Sequence, residues 1–316
     1  MSDISTLELS DEEVIKSFPC YEGPEEPGYV IDFLGVRTRP SYVCGLPTSG
    51  GIVGYPIPGS FQGRIIEWTG VLRAVVEADQ QLVAVELGAG WAPWLVTAAR
   101  AAALRGINQV SLVGVEGCQE HFDFMITHFR DNGLDPERHR LIHGVVGTRD
   151  GMARFPLIAD PAFYYGERAI FANQAQVVTG NGNGSGSLLR RLARKGFQAA
   201  RRRIRTVVNG SNRTVQVRCF SLPTLLGPLT KVDLLHVDIQ GDEYDVLASA
   251  PRVLRKKVKR LVIGTHSRAI EQMLLDELAS QSMVLESEEA CLFRQQDDRM
   301  ELERDGCQVW RNPALK

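Results

Sequence analysis

Three clusters hold residue types that can do chemistry on a bound ligand. The first is Val85-Glu86-Leu87-Gly88-Ala89-Gly90-Trp91-Ala92-Pro93-Trp94, an apolar strand running into Gly-Ala-Gly and then a helix start. Glycines let the backbone turn sharply and approach a ligand closely. In open α/β sheets ligands sit at the carboxyl ends of strands. The third glycine of a dinucleotide fingerprint is replaced by Pro93, and the acid Glu86 stands two residues before Gly88. Both features favour a nucleoside ligand that lacks a pyrophosphate. The second cluster is Glu116, at the end of the next apolar run (110–116). A carboxylate there can accept hydrogen bonds from both hydroxyls of a ribose. The third is Asp238, ending the run 232–239, with His266 ending the run 260–266. These are groups that can hold or move a proton. Each also has a plainer reading: an ordinary strand–helix turn, an exposed acid at a strand end, and a structural histidine.

The elements that must position these residues follow from periodicity. Ile65, Trp68, Leu72 and Val75 keep helical spacing, as do Phe122, Met125, Ile126 and Phe129. Strands are expected at 82–87, 110–116, 141–146, 232–239 and 260–266. Pro93 suits a helix start, and Ser267 can cap a helix running to Leu278. Asp242 to Leu254 reads as a helix interrupted near Pro251. Segments 283–289 and 307–311 are expected to close the sheet as an antiparallel pair. Strand–helix alternation implies a layered α/β fold with a parallel core. His236 shares a strand face with Asp238 and reads as a core residue or as one that backs the site. Trp91 and Trp94 flank the glycine turn, as a roof over a ligand or as packing. His121, His128 and His139 read as surface or helix residues without a partner.

Composition bounds the organisation. Acids number 38 and bases 36, which argues against a nucleic-acid binder acting through its whole surface. No apolar run reaches the ~18–20 residues of a membrane span. The start has no basic segment or apolar stretch of a secretory leader. The six cysteines are scattered without a CxxC pair, so a cysteine zinc site is not indicated. A cytoplasmic protein with reduced thiols is expected. Residues 1–60 read as an arm, acidic and then Gly/Pro-rich, with 45–59 suited to a lid. Residues 61–316 read as one domain with an insertion at about 155–215. That insertion holds a polar loop (173–187) and a basic stretch (188–206) with eight Arg and Lys and no acid. The basic stretch suits an anionic surface, a phosphorylated acceptor or nucleic acid, or a solvated face paired with the arm or with a second subunit in a homo-oligomer.

The order of motifs resembles class I S-adenosylmethionine-dependent methyltransferases. An acid-x-Gly-x-Gly segment comes first and an acid then ends the second strand. The resemblance implies that Glu86, Gly88, Ala89 and Gly90 line the methionine side of the cofactor with Trp91 adjoining, that Glu116 holds the ribose, and that Val145 or a neighbour lies near the adenine. The segment VDLLHVDIQGDEYDVL (232–247) is similar to the signature of FkbM-type methyltransferases, through Asp238, Gly241 and Glu243, with His266 matching a histidine at the end of the next strand. Gln240 departs from the glutamate usual at its position. The resemblance covers roughly 80–270. It implies a Rossmann-like methyltransferase fold: a mostly parallel seven-stranded sheet, helices on both faces and an antiparallel last strand. It also implies an O-methyltransferase of a hydroxyl-bearing acceptor, a saccharide of a glycan, glycolipid or glycosylated metabolite.

An alcohol is a poor nucleophile at neutral pH and needs a general base or a metal. His266 is expected to act as base, with Asp238 as base or orienter. Asp238 with His266 also has the donor types for Mg²⁺ or Mn²⁺, but oxygen-rich sites usually offer more carboxylates than Asp238, Asp242 and Glu243. The last two suit a helix start in any case. Two further functions stay open on sequence alone. One is a nucleic-acid methyltransferase using the Arg-rich stretch. The other is a non-enzymatic scaffold that binds S-adenosylmethionine.

Overall fold

The computed structural model describes residues 9–55, 61–171, 213–296 and 298–315. The loop 173–187 and the basic stretch 188–206 lie outside the described residues. So do the readings that rest on them: 173–187 as a lid beside that at 45–59, and 188–206 as an anionic-surface contact or a nucleic-acid grip.

Helix α1 (Asp11–Lys16) is capped by Ser10, whose Oγ accepts the Glu13 N–H while the Glu13 carboxylate accepts the Ser10 N–H at 2.7 Å. Short strands β1 (Val30–Ile31), β2 (Arg37–Thr38) and β3 (Gly51–Ile52) form a small sheet in the order β2-β1-β3. The composition suggests a loosely structured arm that wraps the next region or covers a cleft. Yet Val14, Phe18, Phe33 and Val36 of this region are buried in the same core as Trp68 and Leu72 of helix α2 (Ile65–Val76). Asp32 is buried here, and its Oδ1 accepts the N–H groups of Leu34 and Val36, both at 2.9 Å. Burial pushes its carboxyl up to about 6. A carboxyl whose pKa is raised by folding opposes stability once pH exceeds its unfolded value. Asp32→Asn keeps the accepting oxygen and is expected to add about 2–3 kcal/mol at pH 8 and little at pH 4. Denaturant unfolding at both pH values checks this, and an equal effect at the two would refute it.

From β4 (Gln81–Leu87) the alternation expected from the sequence begins. Helix α3 (Pro93–Leu104), β5 (Gln109–Glu116), α4 (Gln119–Asp131) and β6 (Arg140–His143) follow. The expected strand 141–146 is divided. β6 ends at His143, and after Gly144 the chain enters β7 (Val145–Gly147), which belongs to a separate sheet with β8 (Gly151–Pro156) and β9 (Thr214–Ser221). The Gly144 N–H bonds to the Glu116 carbonyl at 2.8 Å, and a Cβ there would stand 2.7 Å from the Arg218 carbonyl oxygen. The kink therefore needs glycine. Beyond β9 come α5 (Leu222–Leu226), β10 (Val232–Val237), α6 (Glu243–Ala248), α7 (Pro251–Lys257), β11 (Val258–Thr265), α8 (Arg268–Ser280) and β12 (Val284–Glu289). A hairpin of β13 (Leu292–Gln296) and β14 (Arg299–Arg304) precedes β15 (Gly306–Arg311).

The main sheet has seven strands in the order β12-β15-β11-β10-β4-β5-β6. The pairs from β11 to β6 are parallel, and β15 runs antiparallel to β11 and β12, as expected. Successive strand residues serve opposite faces. Leu82, Ala84, Leu112 and Leu234 join the core under α2, α3 and α4. Val83, Val85, Val113 and Leu235 join the core under α5 to α8. Both faces of the central strands are covered, which explains their unbroken apolar runs. No helix among the described residues is long and apolar enough to cross a membrane.

Candidate active site

Strand order reverses between β4 and β10. The chain leaves β4 toward β5 and β6, then returns to β10 on the other side. Crevices at such switch points, beyond the carboxyl ends of the strands, bind ligands in open α/β sheets. The two turns here meet closely. The Asp238 N–H bonds to the Leu87 carbonyl at 2.9 Å, and a Cβ on Gly88 (φ +75°) would lie 1.8 Å from the Asp238 carbonyl oxygen. Only glycine fits there. Beyond the turn, Ala92 takes a left-handed conformation (φ 57°) and Pro93 opens α3. Glu86 is buried and its Oε2 accepts the Leu95 N–H at 3.0 Å, in the first turn of α3. Burial pushes its carboxyl well above the ordinary range. Glu116 ties the next strand to the same turn. Its Oε2 accepts the Gly90 N–H and its Oε1 the Cys118 N–H, each at 2.7 Å.

These turns wall a cavity of about 220 Å³. Glu86, Gly88, Ala89, Gly90, Trp91, Glu116, Val145 and Asp238, all named from the sequence, line it. His266 is not among its lining residues. It sits behind Asp238, with Nε2 3.3 Å from Asp238 Oδ1 and Nδ1 3.0 Å from Glu243 Oε1. The Asp238 side chain is 37% exposed, that of His266 9% and that of Glu243 0%. Glu243 also accepts the N–H groups of Ile239 and Gly241, at 3.1 and 3.0 Å. It therefore pins the turn that aims Asp238. Burial alone would lower the His266 pKa, but Glu243 and Asp238 outweigh it and hold the imidazole well above its ordinary value. Burial would raise Asp238, but His266 outweighs it and keeps that carboxyl below the ordinary range. The group at the cavity is thus a carboxylate backed by an imidazolium. An imidazolium has no lone pair for a proton, so the expectation that His266 serves as base does not suit this arrangement.

The three groups lie within 4.8 Å of one another, close enough to enclose a cation. However, the two imidazole nitrogens face different carboxylates, at 3.3 and 3.0 Å, so the ring stands between them as their common partner. The donor set suits an ion-paired triad better than Mg²⁺.

Sequence reasoning missed several residues. His121 and His128 are buried with partners: His121 Nε2 lies 2.9 Å from the Pro161 carbonyl and His128 Nδ1 2.9 Å from that of Trp91. Tyr165 stacks flat on His121 at 4.0 Å, meets Trp91 edge-on at 5.0 Å and donates to the Tyr42 carbonyl at 2.7 Å. Tyr165, Glu167 and Ala169 line the cavity, while Arg168 between them pairs with Asp242. Alternate residues thus face the cavity, but the sequence Tyr165 to Ile170 does not alternate apolar and polar types, so nothing in it announces the placement. Trp94 and His236 also line the cavity, with ring centroids 5.6 Å apart. His236 is therefore more than a core residue, and burial lowers its pKa to about 4, keeping it neutral. Arg64, Glu67 and Asp305 also line the cavity.

Comparison with known proteins bears on this geometry. The profile described as the Methyltransferase FkbM domain matches residues 109–293. A protein of Jannaschia sp. (strain CCS1), named "Putative methyltransferase", is 29% identical over 303 residues, covering 95% of this chain and 98% of its own. Among solved structures, methyltransferase FkbM from Methylobacillus flagellatus KT aligns with a TM-score of 0.39 at 10% identity, covering 78% of this chain and 54% of that one. Precorrin-6y C5,15-methyltransferase from Geobacter metallireducens GS-15 aligns with a TM-score of 0.37 at 8% identity, covering 78% and 86%. The doubly covered seven-stranded sheet is that of a Rossmann-like methyltransferase, and a profile match over more than half its length places the chain in the FkbM family of methyltransferases.

Proposed function

We propose that the protein methylates a hydroxyl oxygen, that of a sugar in a glycan, glycolipid or glycosylated metabolite. The observation that carries this reading is Asp238, a part-exposed carboxylate on the cavity wall with a buried cation behind it. A neutral amine attacks an electrophile without first losing a proton. A hydroxyl must shed its proton as its oxygen is alkylated, and so needs an acceptor at that place. The resemblance to FkbM-type enzymes supports the choice of a sugar.

Membership of the family implies S-adenosylmethionine as methyl donor, and the residues present fit it. Gly88 and Gly90 keep the turn free of side chains, Glu116 faces the cavity, and buried polar atoms of Trp91 and His236 lack partners within the protein. When bound, S-adenosylmethionine supplies an electrophilic methyl on a sulfonium sulfur. Gly88 to Gly90 and Glu116 orient the nucleoside part. Trp91 and Tyr165 exclude water from one side. Asp238 orients the acceptor hydroxyl and takes its proton as the new O–C bond forms, and the proton then leaves to solvent through the exposed side of that carboxylate. His266 and Glu243 hold Asp238 in place and ionised. No step requires Mg²⁺.

Transfer of labelled methyl from S-adenosylmethionine to a panel of glycans and glycosylated metabolites tests the reading. A methyl ether in the product is the expected result, and label confined to nitrogen, carbon or nucleic acid would overturn it. The ribose assignment has its own check. Glu116→Ala is expected to weaken S-adenosylhomocysteine binding ~10–100-fold, the value of a charge-assisted bond to a diol. Unchanged affinity in calorimetry would remove Glu116 from that role.

A further inference from the structure

The acceptor's place follows from the order of the strand ends. Across the crevice they run β15, β11, β10, β4, β5. Gly88 to Gly90 and Glu116, assigned above to the methyl donor, stand at the β4 and β5 ends, and Asp238 follows the end of β10. The acceptor oxygen must attack the methyl from the side opposite its sulfur. It therefore approaches over the ends of β11 and β15. β11 contributes Gly264 to the cavity wall, and Asp305, just before β15, lines it too. Because β15 runs antiparallel to β11, with Gly306 opposite Thr265, Asp305 lies at the same end of the sheet as Asp238.

The two carboxylates differ in what already holds them. Asp238 Oδ1 accepts the Gln240 side-chain N–H at 2.9 Å and lies 3.3 Å from His266 Nε2. Oδ2 turns toward β11, 3.3 Å from where a Cβ on Gly264 would stand. Gly264 has none, so the space over β11 stays open. Beyond it, Asp305 has a buried Oδ1 with no hydrogen-bond partner among the described residues. Burial, with the charge of Asp238 adding to it, pushes this carboxyl up to about 6, still ionised at neutral pH. A buried acceptor oxygen left unpaired costs free energy, so at a cavity wall it marks a place where a ligand completes the bonding. Strands spaced ~4.8 Å apart put β10 and β15 about 10 Å from each other. One sugar ring with a hydrogen bond at each edge fills a gap of that width.

We propose that Asp305 binds a second hydroxyl of the ring that is methylated, and so selects an acceptor presenting two hydroxyls on one ring. Asp238 takes the proton of the first hydroxyl. Asp305 accepts a hydrogen bond from the second and keeps the ring in line with the methyl. The assignment rests on the acceptor reading above. Asp305 falls outside the segment 109–293 that the family profile matches.

Labelled methyl transfer to methyl hexopyranosides, each beside its monodeoxy forms, tests the assignment on the full chain. In the wild type, loss of the hydroxyl that Asp305 holds is expected to lower kcat/KM ~10–100-fold, the value of a hydrogen bond to a charged group. In Asp305→Ala the intact glycoside is expected to fall by that factor while the deoxy form changes less than about 3-fold, so the preference vanishes. Asp305→Asn, whose amide oxygen still accepts, is expected to restore part of it. Calorimetry with S-adenosylhomocysteine, expected within about 3-fold of wild type, certifies that each variant is folded. A preference that survives in Asp305→Ala would overturn the subsite and leave the acceptor reading standing. So would a wild type indifferent to every deoxygenation except that of the methylated hydroxyl. Weakened thioether binding in Asp305→Ala would move the residue to the donor and overturn its role toward the acceptor. A wild type that methylates no hydroxyl of any glycoside would overturn the acceptor reading and the subsite together.

Discussion

Replacing Asp238 with Asn is expected to lower turnover ~10²–10⁴-fold, the range for loss of a general base, and to leave S-adenosylhomocysteine affinity within about 3-fold. The substitution is nearly isosteric. It converts a triad with two carboxylates and one imidazolium into a neutral His266–Glu243 pair, so no buried charge is stranded. The turn is kept as well, because it is held by the bond from the Asp238 N–H to the Leu87 carbonyl and by Glu243 on the amides of Ile239 and Gly241. What the variant lacks is a lone pair able to take the hydroxyl proton. Because His266 holds Asp238 below the ordinary carboxylate range, the wild type should keep its base ionised well into mild acid. Rate measurements with a hydroxyl acceptor, beside calorimetry with the thioether, decide the matter. A variant at full speed would remove Asp238 from the chemistry. One that had lost both binding and rate would show a structural role instead.

The sheet was legible because it depends on local signals. Val83, Val85, Leu235 and Val237 lie in runs too apolar for an exposed strand and too short for a helix, and each run ends in a turn residue. Glu116 and Asp238 were legible because a carboxylate closing such a run has few structural uses. The pairing of Asp238 with His266 could be expected from adjacent strand ends, but the sequence does not say which of the two faces the cavity. That depends on Glu243 reaching back to the Ile239 and Gly241 amides, a contact set in three dimensions. The break at Gly144 was hidden for a similar reason. Val145–Gly147 pairs with Cys219–Ser221, more than 70 residues further along, and no local pattern announces such a partner. Arg64 and Asp305 stand 241 positions apart and meet only because β15 returns antiparallel beside β11. Composition hints only that the N-terminal arm wraps the next region, not how deeply it packs. Its glycines and prolines hide Phe18, Phe33 and Val36, which are fully buried.

His266→Ala is expected to have the largest effect on stability and to slow turnover through Asp238 without touching cofactor affinity. The imidazolium stands between two carboxylates, one of them fully buried. Removing one partner of a buried ion pair typically costs ~3–5 kcal/mol, because the charge left behind has lost its compensation. For a chain of this size that is a fall in melting temperature of roughly 5–8 °C. The pH dependence identifies the cause. In the wild type the folded pKa of His266 lies above its unfolded value. Its contribution is therefore complete below about 6.5 and is lost as pH rises through the folded value. In the variant, Asp238 and Glu243 face each other uncompensated, so protonating either one relieves the strain and stability recovers in acid. The gap between the two proteins should be widest near neutrality and narrow toward pH 4. A neutral structural histidine would give a gap that does not close in acid. Equal melting temperatures at pH 7 would show that no imidazolium is buried there, and the base assignment would return to His266. With the gap present and affinity for S-adenosylhomocysteine unchanged, a loss in turnover locates the histidine's effect in the aim and ionisation of Asp238.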